Sequence, residues 1–227
     1  MNSEYAGTRN CPSAPRASAS IAAQTSVMGG TLRHVDLYRI AWNELLATEP
    51  TPAEIEASAE TLAAGYNEPE NARLMGHGEA MSAEDVVDHY TDMAEEGARQ
   101  FLLFVDGKLV GDADLRGVAG GTAEFAFMIG ARDLQGKGLG TRFALMVTAF
   151  GFAQLGLRRI YASLVPHNTG SRRVFEKLGY SLDDGDEARG YADEPGDIVM
   201  GIDRQVFERT HAAALAQLAI STRVSAS

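Results

Sequence analysis

Residues 122–129 read Thr122-Ala123-Glu124-Phe125-Ala126-Phe127-Met128-Ile129, and after five more residues comes Gln135-Gly136-Lys137-Gly138-Leu139-Gly140-Thr141. The first run has the length and the apolar and aromatic content of a β-strand. Phe143, Met146, Val147, Phe150 and Ala153 then recur at helical spacing, which predicts a helix from about Gly138 to Leu155. A glycine-rich turn thus joins strand to helix. Glycine lets the backbone take positive φ and approach a ligand closely. The helix start adds unpaired N–H groups at the positive end of a dipole. Together these features make a site for a pyrophosphate.

Two common pyrophosphate loops do not fit. A Walker A loop needs four residues between its first glycine and the Gly-Lys pair, whereas Gly130 and Gly136 enclose five. Gly138 also stands where a serine or threonine should bind magnesium. A dinucleotide fingerprint needs Gly-x-Gly-x-x-Gly after the first strand of a parallel unit, but Thr141 occupies the third glycine position. A turn that merely joins strand to helix stays open at this point.

Working outward, Gln100–Val105 and Lys108–Leu115 flank Asp106-Gly107, a strong hairpin signal, and Gly120-Gly121 leads into the strand already quoted. Downstream, Arg159–Val165 reads as a strand and Asn168–Leu178 as a short helix stopped by Gly179, with Tyr180 reaching back to Phe175. Asp197–Asp203 is expected to be the last strand and Arg204–Ile220 a terminal helix. Upstream, Leu32–Ala47 reads as one or two strands with Leu37, Ile40, Trp42 and Leu45 buried. Thr51-Pro52-Ala53-Glu54 has an N-cap, a proline at the first helical position and a capping-box glutamate, predicting a helix to about Tyr66. Asn67-Glu68-Pro69 breaks it, with a short helix to follow through Leu74. Ser82 opens another helix to about Gly97, with Val86, Val87, Tyr90 and Met93 at helical spacing. The order predicts an α+β fold, partly antiparallel and partly of βαβ character.

The chain has 227 residues, 45% of them hydrophobic, and a formal net charge of −11. So acidic a surface repels phosphate backbones, which argues against nucleic acid as the main partner. No apolar run approaches the length of a membrane span. A single cysteine, Cys11, excludes a disulfide framework and a cysteine-rich zinc site. The five histidines (34, 77, 89, 167 and 211) form no ligand pair, so no metal is expected. Residues 1–30 are rich in Ser, Ala, Thr, Gly and Pro and are expected to form a flexible tail. The N-terminus shows no secretory signal, so the expected location is cytoplasmic.

Gln135-x-x-Gly138-x-Gly140 opening a helix resembles the acyl-CoA pyrophosphate loop of the GNAT superfamily of N-acetyltransferases. About 30 residues on, Asn168-Thr-Gly-Ser171-Arg-Arg-Val-Phe175-Glu-Lys-Leu-Gly179-Tyr180 is similar to that superfamily's second motif, Asn-x-x-Ser-x-x-x-Tyr/Phe-Glu-Lys-x-Gly-Phe/Tyr. Glu124-Phe-Ala-Phe-Met-Ile, Asn67-Glu68-Pro69-Glu70 and Asp197-Ile-Val-Met-Gly-Ile are similar to its RimJ/RimL-like branch. The resemblance implies an α/β/α arrangement: a mixed, largely antiparallel central sheet flanked by helices, with a V-shaped acyl-CoA cleft. It implies a GNAT acetyltransferase domain over residues 31–210, followed by a C-terminal helix and tail over 204–227.

The resemblance also assigns roles. Backbone amides of Gly136, Lys137, Gly138, Leu139, Gly140 and Thr141, after Gln135, would bind the CoA pyrophosphate, with Lys137 adding charge or merely solvated. The strand end Phe127, Met128 and Ile129 would hold the pantetheine arm, with Asn168 on the other side. An amine attacks a thioester only when uncharged, so a group must take its proton. Glu124 matches the branch's proposed base; its other reading is an outward strand residue or a structural ion pair. Many members carry a tyrosine acid where this chain has Phe175, which has no proton to give. Ser171 matches the serine proposed instead, and otherwise serves the first turn of its helix.

The implied reaction transfers acetyl from acetyl-CoA to a primary amine by direct attack in a ternary complex, without a metal. The acceptor would be a small amine such as a polyamine, amino sugar or antibiotic, or a protein N-terminal amine. The loops around 66–82 and 182–197 would shape its pocket. A non-catalytic acyl-CoA sensor and a longer-chain acyltransferase are the alternatives. His167 is expected on a surface loop and Trp42 in the core. The cluster Asp183-Asp184-Gly185-Asp186-Glu187 is expected to be a solvated loop or an attractor for a cationic amine. A monomer and a homodimer are both open.

Overall fold

A computed structural model describes residues 36–75, 79–130 and 134–223. The tail expected over 1–30, the strand start at Leu32, Cys11, His34 and His77 lie outside the described residues. In chain order the elements are β1 (Leu37–Trp42), β2 (Leu45–Thr48), α1 (Pro52–Tyr66), α2 (Pro69–Met75), α3 (Ala83–Glu95), β3 (Arg99–Val105), β4 (Lys108–Ala119) and β5 (Thr122–Ile129). There follow α4 (Leu139–Gln154), β6 (Arg159–Leu164), α5 (Thr169–Leu178), β7 (Ser181–Leu182), α6 (Asp186–Arg189), β8 (Ile198–Asp203), α7 (Arg204–Leu215) and β9 (Ala219–Arg223).

Local chemistry sets most of these boundaries. Both capping boxes close: Thr51 Oγ1 accepts from the Glu54 N–H at 3.3 Å while Glu54 Oε2 accepts from the Thr51 N–H at 2.8 Å. Ser82 and Asp85 repeat the exchange at 3.1 and 2.7 Å. Such caps satisfy amides that no turn of helix can reach. At the end of α5, Gly179 takes φ 93 and donates to the Glu176 carbonyl, and the Tyr180 N–H donates to the Phe175 carbonyl. The Tyr180 ring then packs on Phe175 with centroids 4.9 Å apart, completing a Schellman ending.

Among the described residues nine strands form one sheet in the order β7-β8-β6-β5-β4-β3-β2-β1-β9. All pairs among the described residues are antiparallel except β5 with β6. Strand alternation distributes the faces. Phe101 and Leu103 of β3 enter a core with α4, α5 and α7, whereas Leu102 between them faces α1 and α3. α4 is buried on nearly every side, so the single stripe ending at Ala153 is too narrow; Ala153 itself is exposed. α1 buries Ile55, Ala59, Leu62, Ala63 and Tyr66, one face at helical period.

The structure corrects several expectations. β8 is not the last strand, and the helix expected over Arg204–Ile220 ends at Leu215. Ala219–Arg223 instead pairs antiparallel with β1, which would otherwise be an open edge. Arg223 pins β9 there, donating to Thr48 Oγ1 at 2.7 Å and to Glu54 Oε1 at 2.7 Å. Leu37 and Trp42 are half-buried rather than core. The Trp42 indole N–H donates to Gln217 Oε1 at 3.2 Å, and the Arg142 guanidinium lies 5.0 Å from its ring centre. The 183–187 cluster is not a solvated loop throughout. Asp183 pairs with Arg159, and Glu187, in the single turn of α6, takes Arg158 and the Tyr161 hydroxyl.

Candidate active site

The wedge at the centre of the sheet comes from two strands that start together and part. β5 and β6 pair in parallel at Thr122↔Arg159, Ala123↔Ile160 and Glu124↔Tyr161, and the ladder stops there. β5 runs on to Ile129 and β6 to Leu164, so the edge of Phe125–Ile129 facing β6 has no ladder partner among the described residues. On its other edge the same stretch stays paired with β4 as far as Gly111↔Ile129. One side of the strand is therefore fixed while the other offers amide and carbonyl groups to a ligand.

α4 starts at this wedge. Its N-cap is Gly138, with φ 80 and no side-chain cap, and Gly136 also sits at φ 73. Both dihedrals lie in the left-handed region that glycine enters without strain. With no side chain spending the first-turn amides, they and the helix dipole are turned to an anion. Gly140 is needed for a different reason. A Cβ there would lie 3.1 Å from the Phe127 ring and 3.7 Å from Val174, so its lack of a side chain lets α4 begin against β5. Lys137 is exposed on the loop, Leu139 is buried and Thr141 is half-buried.

Gln135 is exposed, but its side-chain amide reaches back to α2 and β5. Its Nε2 donates to the Ile129 carbonyl at 2.9 Å and to Asn71 Oδ1 at 3.1 Å. Met128 is buried against α1, where Gly65 passes so closely that a Cβ would lie 3.0 Å from the Met128 methyl and 3.1 Å from Gly130 Cα. Asn168 caps α5: its Oδ1 accepts from the Ser171 N–H at 3.0 Å. Ser171 is half-buried on the first turn of α5, and His167 beside this cap is exposed. Phe175 is buried with Phe125, Phe127 and Tyr180 around it, all with centroids within 5.8 Å.

Glu124 belongs to a row of charges on the α1–α3 face. Its side chain is 2% exposed, and Oε1 lies 3.3 Å from Nη2 of Arg116, its register partner on β4. Asp114, two residues earlier on the same face, has Oδ1 3.6 Å from Arg116 Nε, beyond hydrogen-bond reach. Those two atoms are buried without a hydrogen-bond partner among the described residues. Burial pushes the Asp114 carboxyl up; Arg116 opposes that and Asp193 adds to it. Asp112, next along the face, accepts the hydroxyls of Tyr90 at 2.7 Å and of Tyr66. Burial pushes its carboxyl up to about 6 against the lowering by those hydroxyls.

Glu124 and Ser171 therefore come from different layers, since α5 packs on the α4 face. Sequence reasoning missed Asp112, Asp114, Arg116 and Asn71. The alternation Asp112-x-Asp114-x-Arg116 was the available signal: it places three charges on one strand face, which is unusual only once α1 and α3 are known to cover its Asp112 end. Among the described residues no group of three His, Cys, Asp or Glu is placed to hold a metal ion, and no helix is long and apolar enough to cross a membrane.

Residues 46–181 match the model of the acetyltransferase (GNAT) domain. Spermidine N(1)-acetyltransferase of Escherichia coli (strain K12) is 32% identical over 97 residues, 42% of this chain and 50% of that protein. The probable N-acetyltransferase YjcK of Bacillus subtilis (strain 168) is 36% identical over 77 residues, 33% of this chain and 42% of that one. The chain spans about half the length of the curated relatives it matches. In structure it is similar to Mycobacterium smegmatis RimJ in complex with CoA-disulfide, with TM-score 0.62 and 18% identity over 81% of this chain and 96% of that one. Aminoglycoside acetyltransferase AAC(6')-Ib in complex with coenzyme A gives TM-score 0.60 and 19% identity over 77% and 99%. These likenesses establish the fold.

Proposed function

The chain belongs to the GNAT acetyltransferase family, and from that premise we propose that it transfers an acetyl group from acetyl-CoA to a primary amine by direct attack in a ternary complex. The observation that carries this reading is the parted β5–β6 pair with the uncapped, glycine-rich start of α4 at its mouth. Amides of residues 136–141 hold the pyrophosphate, and the β6-facing edge of Phe127–Ile129, unladdered and with the Ile129 carbonyl taken by Gln135, takes the pantetheine arm and carries the thioester. Asn168 contributes from the α5 side, where its Oδ1 is already committed to the cap and its Nδ2 is the group left to offer.

Glu124 receives the proton that the ammonium must lose, directly or through water. Arg116 Nη2, 3.3 Å from Oε1, holds this carboxyl in place. Attack forms the C–N bond and a tetrahedral oxyanion, which strand N–H groups stabilise. Collapse breaks the C–S bond. Phe175 is buried and has no proton to give, so the thiolate departs with help from Ser171 or takes its proton from solvent. The acceptor is a cationic small amine in preference to a protein terminus. Asp114, Glu124 and Asp193 outnumber the single Arg116 among them, and a site of that sign attracts an ammonium. The E. coli relative is named for spermidine and AAC(6')-Ib for aminoglycosides, so those two classes head the panel.

The test is Glu124→Gln assayed on polyamines, aminoglycosides and N-terminal peptides. Turnover should fall by about 10²- to 10⁴-fold while coenzyme A binding stays within about twofold. A wild type that binds acetyl-CoA but acetylates nothing across the panel would favour a sensor. Displacement of acetyl-CoA by a tighter-binding long-chain acyl-CoA would favour a longer acyl group.

A further inference from the structure

Asn71 is the buried residue of the short helix α2. Its side chain bonds in two directions. Nδ2 donates to the carbonyl of Gly65 near the end of α1 at 2.9 Å, and Oδ1 accepts from Gln135 Nε2 at 3.1 Å. The same Gln135 nitrogen donates its second hydrogen to the Ile129 carbonyl, the last residue of β5, at 2.9 Å. Both hydrogens of the Gln135 amide are thereby used. The α2 end of the chain of bonds is fixed in turn, because Glu68 Oε2 accepts the N–H groups of Glu70 and Asn71 at 3.0 Å each.

This strut joins three parts of the molecule that are remote in sequence: the end of α1 with α2, the end of β5, and the first residue of the glycine loop. We propose that Asn71 is a positioning residue for the cofactor. Through Gln135 it fixes where the pyrophosphate loop stands relative to the β5 edge. The loop and α2, which lies in the segment expected to shape the acceptor pocket, then move as one body. A half-buried polar network of this kind loses more than one bond when a member is removed, because its partner is left unsatisfied. The inference rests on the reading that the loop binds coenzyme A, and its test is therefore a binding measurement that needs no acceptor.

Dissociation constants for coenzyme A are measured by calorimetry on wild type, Asn71→Leu, Gln135→Leu, the double variant and Gln135→Arg. Each single leucine variant should bind about tenfold more weakly, close to 1.4 kcal/mol. The double should be no weaker than the worse single, since both cut the same strut. Gln135→Arg, which keeps N–H donors for both acceptors, should stay within about threefold of wild type. Thr51→Ala, a loss of stability at a remote cap, should leave the constant unchanged. Gln135 is exposed, so its leucine variant decides the matter even where Asn71→Leu fails to fold. Wild-type affinity in Gln135→Leu, or losses that multiply to about a hundredfold in the double, would overturn the inference. A wild type that binds no coenzyme A would instead remove the reading beneath it.

Discussion

At the residue scale, Asp112 shows how a buried charge can belong to the architecture of the site without belonging to its chemistry. It lies under α1 and α3 and takes one hydroxyl from each, Tyr66 and Tyr90. Burial holds its carboxyl at about 6 in the folded chain, against about 3.9 when unfolded. A raised carboxyl stabilises the fold while it stays protonated, so that contribution is present below about pH 4 and lost as pH rises through 6. Asp112→Asn removes the titration and keeps an oxygen for the two hydroxyls. The unfolding free energy of Asp112→Asn minus that of wild type should grow by about 2–3 kcal/mol in the variant's favour between pH 4 and 7.5, read from urea titrations. A difference that stays flat or runs the other way would mean that burial does not raise the Asp112 carboxyl.

At the element scale, β4 and β5 form the wall on which the wedge is built, and their contact tolerates no extra atom. A Cβ on Gly111 would stand 1.9 Å from the Met128 carbonyl oxygen, a backbone atom that cannot turn away. Gly111→Ala should therefore cost about 3 kcal/mol in urea unfolding, at the upper end for an overpacked site. It should also loosen the β5 edge, so that coenzyme A binding weakens with it. Full stability in that variant would show that the two strands are not so closely joined. The elements read correctly from the chain are those closed by neighbours in sequence: the boxes at Thr51 and Ser82, the Asp106-Gly107 turn, and the Gly179 ending with Tyr180 on Phe175. What escaped depends on distant partners. Ala212, Leu215, Leu218 and Ala219 continue a helical stripe on paper, but the open edge of β1 draws Ala219–Arg223 into a strand. Asp112, Asp114 and Arg116 alternate like a solvent face, and it is α1 and α3, through Tyr66 and Tyr90, that bury Asp112, while Asp114 and Arg116 stay half-buried. Asn71 and Gln135 are 64 residues apart and carry no mutual signature.

At the scale of the whole molecule, the sheet ends among the described residues in β7, two residues long, and in β9, five residues long. Each is a short edge, which limits pairing with another chain. Ending the chain at Leu218 would leave the outer edge of β1 unpaired, with β2 still on its other side, and remove the Arg223 bonds to Thr48 and Glu54. The shortened chain should unfold at a lower temperature and associate as its concentration rises, seen by light scattering. A monodisperse product with an unchanged midpoint would mean that β9 is ornamental.

The proposed reaction requires that the wedge and the α4 start bind acetyl-CoA. Thermal unfolding with and without acetyl-CoA at about 100 times its dissociation constant addresses it directly. Binding to the folded chain alone should add about 2.7 kcal/mol and raise the midpoint by several degrees. An unmoved midpoint at millimolar acetyl-CoA would contradict the account.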